Sequence, residues 1–138
     1  MARRIYITKD DAQKLEELLK AASRYNTLDR ANFRVLQEEL SRAKIVAPNQ
    51  VTPDVVTMHS SVRLRDLRDD EVMELTLVFP EEADPDAGSI SVVAPLGAAI
   101  LGYKAGDTVQ FRTPGGTRSV RIEAVVYQPE AARRVEAG

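Results

Sequence analysis

The stretch ISVVAPLGAAILGYKAGDTVQFRTPGG, residues 90–116, decides the fold of the second half of the chain. Pro95 suits the first turn of a helix and Gly102 suits a helix end, so residues 95–101 are predicted to form one short apolar helix. Strands are predicted on both sides of this helix, at residues 90–93 and 108–113. The succession of strand, short helix and strand is typical of a small α+β domain.

Further strand patterns surround this stretch. Apolar and polar residues alternate over residues 62–65 and 73–79, and a third such segment covers residues 118–127. An alternation with a period of two predicts strands that are buried on one face. Residues 114–116, Pro-Gly-Gly, suit a tight hairpin turn, and Pro129 ends the last strand. The second half is therefore predicted to be a mostly antiparallel sheet with one short helix across it.

The first 44 residues show a helical period instead. Apolar side chains recur every three or four residues from Leu15 to Ala22 and again from Phe33 to Ala43, and Thr8 can cap the first helix. Each helix is predicted to be about 16 residues, or about 24 Å, long. The short turn between them predicts an antiparallel hairpin. We expect its base to rest on the β domain and its tip to project into solvent.

The domain organisation follows from these patterns. Residues 1–44 are predicted to form the helical hairpin, a short coiled coil, and residues 58–138 the β domain. Residues 45–57 contain Pro48 and Pro53 and are predicted to be a connector.

Composition excludes several classes of protein. The chain has no cysteine, which rules out disulfides and thiolate metal sites. The sequence has no apolar run long enough for a signal peptide or a membrane span, so a cytoplasmic protein without membrane contact is predicted. The net charge of −2 divides into +3 for residues 1–44 and −5 for the remainder. Without a strongly basic region, no direct sequence-specific binding of nucleic acid is expected.

Candidate catalytic and metal-binding groups are few. His59 is the single histidine, and no recognisable nucleophile and acid accompany it, so a surface or domain-junction position is predicted. The acidic loop at residues 81–86 lacks apolar surroundings and indicates a solvated charge run, with a weak calcium site as the alternative. Neither a cofactor nor a catalytic activity is predicted for this chain.

The turn between the two helices is a candidate site for a partner. This hairpin tip consists of Tyr25, Asn26, Thr27, Leu28, Asp29 and Arg30. Asp29 can either cap the second helix or present one carboxylate to a metal ion in a partner's cavity. Asn26 and Asn32 stand where a second acid on the same helix face would have to be, which favours the cap.

Residues 90–109, followed by Pro-Gly-Gly, resemble the C-terminal domain of the Gre transcript-cleavage factors. DVVTMHS at residues 54–60 and YQPEAA at residues 127–132 resemble more narrowly the Rnk group, the regulators of nucleoside diphosphate kinase. The resemblance implies an FKBP-like C-terminal domain, an N-terminal coiled coil and binding to RNA polymerase near its secondary channel. Any involvement with DNA is then indirect, through the polymerase.

The resemblance also implies a docking site. In Gre factors the loop ahead of the short helix docks on the rim of the polymerase, and this loop corresponds here to Val93, Ala94 and Pro95, the docking loop. Gre factors have a longer hairpin and an Asp-x-x-Glu pair at its tip, whereas Asp29 is followed at that spacing by Asn32. A polymerase-binding regulator that competes with Gre factors, without stimulating cleavage, is therefore expected.

Two other functions stay open at the level of sequence. One is a Gre-type cleavage or elongation factor that uses Asp29. The other is a prolyl isomerase or chaperone with an FKBP-like fold, although the chain has no tryptophan and few aromatic residues to line such a pocket. A functional link to nucleoside diphosphate kinase is implied by the resemblance, either by direct contact or by altered expression.

Overall fold

The computed structural model describes residues 5–21 and 30–137, and it has a mixed α+β architecture. The strands are β1 (Tyr6–Thr8), β2 (Lys44–Val46), β3 (Ser61–Asp66), β4 (Val72–Val78), β5 (Ser89–Ser91), β6 (Thr108–Thr113) and β7 (Gly116–Tyr127). The helices are α1 (Lys9–Lys20), α2 (Arg30–Arg42), α3 (Pro95–Ile100) and α4 (Pro129–Ala137). None of these helices is both long and apolar enough to cross a bilayer.

A five-stranded sheet with the order β5-β4-β3-β7-β6 forms the centre of the β domain. All neighbours are antiparallel except β4 and β5, which run parallel. Side chains such as Leu64, Leu77 and Ile122 are buried on the inner face, whereas the opposite face is open to solvent. Each of the five strands lies in a segment where the sequence predicts one, so that prediction is confirmed.

Helix α3 packs against β6 and begins at Pro95, as predicted. Gly102 follows its end with a φ of 83°, in the left-handed region that favours glycine. The backbone N–H of Gly102 donates to the Val56 carbonyl (2.8 Å), and its carbonyl accepts from the Tyr6 N–H (3.2 Å). This one residue therefore joins α3, the segment before β3 and the N-terminal strand β1.

A two-stranded parallel ribbon of β1 and β2 was not predicted from the sequence. Tyr6 pairs with Lys44 and Thr8 with Val46, although 36 residues or more separate the partners. Strand β1 ends at Thr8, which is interpreted as a helix cap, and β2 lies partly in the segment predicted to be a connector, so neither was recognised. The ribbon brings the start of α1 and the end of α2 to the same end of the helix pair, which is what an antiparallel hairpin needs.

The hydrophobic core is continuous from the helices to the sheet. Ile5, Leu15, Leu18 and Leu36 belong to the same buried cluster as the inner face of the sheet. Leu18 is still buried near the end of α1, so α1 is seated on the β domain along most of its described length, and not only at its base.

Three predictions from the sequence stay predictions. They are the domain boundaries at residues 44 and 57, the FKBP-like fold of the β domain and the cytoplasmic location.

Helix α4 was missed because the sequence analysis ended the domain with the last strand. Gln128 anchors its start: the side-chain amide donates to the carbonyls of Thr52 (2.7 Å) and Val55 (2.9 Å). Helix α4 is thus tied to the segment before β3, which lies more than 70 residues away in sequence.

Gly102→Ala is expected to destabilise the protein by about 2 to 5 kcal/mol, because the left-handed φ costs about 1 to 2 kcal/mol and the clash about 1 to 3 kcal/mol. An added Cβ would lie 2.8 Å from the Ile5 Cβ, closer than packed carbon atoms approach. Urea unfolding followed by circular dichroism measures the change.

Gly115→Ala is the matched control, since its Cβ would meet nothing closer than 3.9 Å. A loss at position 102 no larger than that at position 115 would contradict the assigned role of Gly102.

Candidate partner-binding surface

The docking loop lies between β5 and α3 and is held in place by hydrogen bonds. The Val92 N–H donates to the Val78 carbonyl of β4 (2.8 Å). Ser91 then holds the next two residues: its Oγ accepts from the Val93 N–H (3.1 Å), and its carbonyl accepts from the Ala94 N–H (3.0 Å). These bonds close a tight turn, so the loop has a defined shape before any partner binds.

The three residues of the docking loop differ in exposure. Val93 is only 9% exposed and belongs to the core, whereas Ala94 is half-buried and Pro95 is exposed. The accessible part of the loop therefore consists of Ala94 and Pro95, with the half-buried Leu96 beside them, whereas Val93 anchors the loop in the core.

Gly97 allows the loop and α3 to approach each other closely. A Cβ at this position would lie 2.1 Å from the Ser91 carbonyl oxygen and 3.1 Å from the Val92 Cα. Only glycine fits there without moving the backbone, because both neighbours are main-chain atoms. The glycine of the sequence motif is thus explained by packing.

The hairpin tip lies outside the described residues, apart from the backbone of Arg30, where α2 begins. The side chain of Asn32 also lies outside the described part. The proposed cap by Asp29 and its alternative role toward a metal therefore stay predictions. Among the described residues, no group of three His, Asp or Glu side chains could hold a metal ion.

A polar junction that the sequence analysis missed connects the helices to the sheet. It centres on residues 57–60, the junction turn. The Met58 N–H donates to Oδ2 of Asp11 in α1 (3.1 Å), and the His59 N–H donates to the Leu77 carbonyl of β4 (2.6 Å). His59 has a φ of 68°, which lets two successive N–H groups serve different elements. The turn thus connects α1 directly to the sheet.

The same turn binds the C-terminal helix. The Thr57 hydroxyl donates to Oε1 of Glu130 (2.7 Å) and lies 2.8 Å from the Ser60 hydroxyl, and all three side chains are buried. Asp11 and Glu130 bring two carboxylates to one buried region. Burial raises the pKa of Asp11 to about 6, although the Met58 N–H opposes this and the nearby Glu130 adds to it.

His59 occupies the edge of this junction, as the sequence predicts. Its Nε2 lies 2.8 Å from Oε1 of Glu82, and the hydrogen bond to His59 lowers the pKa of the Glu82 carboxyl. The Phe79 N–H also donates to Glu82 (3.2 Å). Glu82 therefore holds the end of β4 in place, while Glu81 and residues 83–86 are exposed, as expected of a solvated run.

The position of Asp11 in the sequence carries a signal that can reveal its burial. It lies four residues before Leu15, so it shares the buried face of α1. An acid in the first helical turn is ordinarily interpreted as a partner of the helix dipole. For this reason the role of Asp11 as the acceptor of the Met58 N–H was not predicted.

Comparison with known proteins adds the family. Residues 50–127 match the model "Transcription elongation factor, GreA/GreB, C-term", and residues 3–46 match "Rnk N-terminus". The chain is 40% identical over 96% of both sequences to the "Regulator of nucleoside diphosphate kinase" of Escherichia coli. It is 35% identical to the "Transcription elongation factor GreA" of Chlorobaculum parvum, over 84% of this chain and 92% of that one.

A solved structure agrees with these matches. The "Prokaryotic transcription elongation factor GreA/GreB from Nitrosomonas europaea" superposes with a TM-score of 0.72 at 41% identity, covering 90% of this chain and all of that one.

Asp11→Asn is expected to stabilise the protein by about 1 to 3 kcal/mol near pH 7, because each unit of pKa shift corresponds to about 1.4 kcal/mol. The folded pKa of about 6 lies above the ordinary 3.8, so the folded state retains a proton between these values that the unfolded state has lost. Stability therefore falls as the pH rises through this window, and asparagine, which can still accept from Met58, removes that loss. Urea unfolding at about pH 4 and about pH 7 measures both effects.

Asp10→Asn, in the same helical turn but exposed, is the control and should leave the pH dependence unchanged. An Asp11→Asn variant that is less stable than the natural chain near pH 7 would contradict the assigned cost of the buried charge.

Proposed function

The chain belongs to the GreA/GreB family of transcription elongation factors and carries the Rnk N-terminus, and from this we propose that it regulates transcription by docking on bacterial RNA polymerase at the secondary channel. It occupies the mouth of the channel and competes there with Gre factors. It does this without a catalytic group of its own.

The docking loop is the observation that carries this proposal. Its shape in the free protein is fixed by two hydrogen bonds that Ser91 accepts, by the anchoring of Val93 in the core and by the close approach at Gly97. A loop that is already ordered loses little conformational entropy on binding, which favours association. Ala94, Pro95 and Leu96 form a small apolar surface at its apex that suits a protein partner.

The helices support occupancy of the channel mouth rather than action at the active site. Helix α1 has 12 residues, a length of about 18 Å. Because its buried face is seated on the β domain through Leu18, this length adds little reach beyond the domain.

The chemistry of the hairpin tip also supports occupancy of the channel mouth rather than action at the active site. Asp29 is its single carboxylate, with Asn26 and Asn32 at the neighbouring helical positions. Magnesium is ordinarily bound through one or two carboxylates together with waters and phosphate oxygens, and a single carboxylate that also caps a helix is a poor ligand. We therefore propose inhibition of Gre-stimulated cleavage, and the Asp29-dependent cleavage factor becomes an outcome of the test.

The name of the Escherichia coli relative connects that protein with nucleoside diphosphate kinase. A regulator of transcription changes the amount of an enzyme without touching it. We propose that a link of this kind, where it exists for this chain, acts through expression and not through direct contact.

Ala94→Asp is expected to weaken binding to bacterial core RNA polymerase by at least about tenfold, or about 1.4 kcal/mol, because it places a charge in the apolar contact. Aspartate is a favourable residue at the helix N-cap, which position 94 occupies, so the fold is preserved. Fluorescence anisotropy with labelled protein measures the affinity.

Ala83→Asp, at an exposed position in another loop, is the control and should bind like the natural chain. Nucleoside diphosphate kinase serves as a second analyte, for which no binding is expected. Absence of polymerase binding at micromolar concentration, or equal binding by both variants, would refute the proposed docking site.

A backtracked elongation complex tests the second part of the proposal. Added protein is expected to leave the basal rate of transcript cleavage unchanged and to reduce Gre-stimulated cleavage in proportion to channel occupancy, since the two proteins share one site. Cleavage that rises with added protein and is lost in Asp29→Ala would instead support the cleavage factor. Ala94→Asp should fail to inhibit.

A further inference from the structure

We propose that the open face of the five-stranded sheet binds the phosphate backbone of single-stranded nucleic acid, without reading its sequence. This surface, the arginine face, is centred on Arg63, Arg65 and Arg121. The proposal does not depend on the docking loop or on polymerase binding, because the arginine face lies on the side of the sheet opposite the core.

The sheet brings these three arginines together. Arg65 of β3 is paired directly with Arg121 of β7, and Arg63 lies two residues along β3 on the same face. Directly paired residues have Cβ atoms about 5 Å apart, and like charges at this distance destabilise a sheet. A cross-strand arginine pair therefore has a cost in the free protein that a bound anion would relieve.

The charge of one arginine is compensated by a direct ion pair, whereas the other two arginines make no direct ion pair. Arg65 makes a two-pronged contact with Glu123, from Nε to Oε2 (2.9 Å) and from Nη2 to Oε1 (3.2 Å). Arg63 and Arg121 are exposed and have neither a hydrogen bond nor an ion pair from their side chains within the described part of the chain. Asp70 also contacts Arg65 (3.1 Å from Nη1 to Oδ1). The pKa of Glu123 is lowered first by its hydrogen bond to Arg65 and further by the charges of Arg121 and Arg63, so these acids offset part of the positive charge of the face.

The remaining side chains favour phosphate over an apolar protein surface. Arg112 adds a further exposed cation near the end of β6. Three acids oppose binding, namely Glu74, which is paired with Arg63, and Glu123 and Asp70, which contact Arg65. The other members of the face include hydroxyl and amide groups, namely Ser61, Thr76, Thr108, Gln110 and Ser119. Arginine, serine, threonine and glutamine are the side chains that commonly contact phosphate and sugar oxygens.

An exposed aromatic ring adds a second type of contact that does not depend on the nucleotide sequence. Tyr127 is paired with Ser61 on this face and is 50% exposed. An exposed tyrosine beside cationic groups allows a base to stack, which is a contact that tolerates any base. Double-stranded nucleic acid does not expose its bases for such stacking, so a single strand fits the face better.

The overall charge of −2 does not reveal this surface, because its arginines come from β3 and from the hairpin of β6 and β7, which are far from β3 in sequence. Two or three phosphate contacts predict weak binding, with a Kd on the order of 10 to 100 µM at low salt. Since each contact releases counterions, the affinity should fall about tenfold between about 50 mM and about 200 mM salt.

Fluorescence anisotropy with labelled oligouridylate and oligothymidylate, each about 15 nucleotides long, tests the arginine face directly. The double variant Arg63→Gln/Arg121→Gln is expected to bind both strands at least about tenfold more weakly, since it removes the two exposed arginines of the face that make no direct ion pair. Arg34→Gln/Arg68→Gln is the matched control: it changes the net charge equally at exposed positions outside the face and should stay within about twofold of the natural chain.

Circular dichroism and urea unfolding establish that every variant is folded. The proposal is overturned if neither strand binds at about 200 µM protein and low salt, where non-specific complexes form. It is also overturned if the two double variants bind alike, or if a polyglutamate peptide of equal charge displaces the oligonucleotide as well as unlabelled strand does. The last result would identify the face as a general site for acidic chains.

Discussion

The junction turn at residues 57–60 is the constraint on which the arrangement of this molecule depends. Its main chain donates to Asp11 of α1 and to β4, and its Thr57 hydroxyl donates to Glu130 of α4. Each of these buried acceptors would be costly if it were left without a partner. One turn therefore holds α1, α4 and the sheet relative to one another through buried hydrogen bonds.

Rigidity of this kind suits a protein that acts by occupying a site. The docking loop connects β5 to α3. Both elements pack on the hydrophobic core beside the junction turn. Burial raises the pKa of Asp11 at the centre of that junction, so the charged carboxylate has a cost near pH 7 that its hydrogen bond from the Met58 N–H partly offsets.

The sequence allowed the fold class and the strands of the sheet to be predicted, because an alternation with a period of two, or a short apolar run bounded by turn residues, is a local signal. It also allowed α3 to be placed, since Pro95 and Gly102 mark the helix ends, whereas the docking loop rests on the resemblance to Gre factors and its role stays a prediction. The ribbon of β1 and β2, the junction at Asp11 and Glu130, and the arginine face were missed for one shared reason. Each joins residues that are separated by tens of positions, and nothing local distinguishes those residues from capping acids or solvated charges. The hairpin tip lies outside the described residues, and its role stays a prediction.

A cryo-electron microscopy reconstruction of the chain bound to bacterial RNA polymerase tests the central claim most directly. The account predicts density at the rim of the secondary channel, with Ala94 and Pro95 in contact with the polymerase and the helices directed toward the channel. A complex in which the docking loop faces solvent, or in which the chain is bound away from the channel, would contradict it.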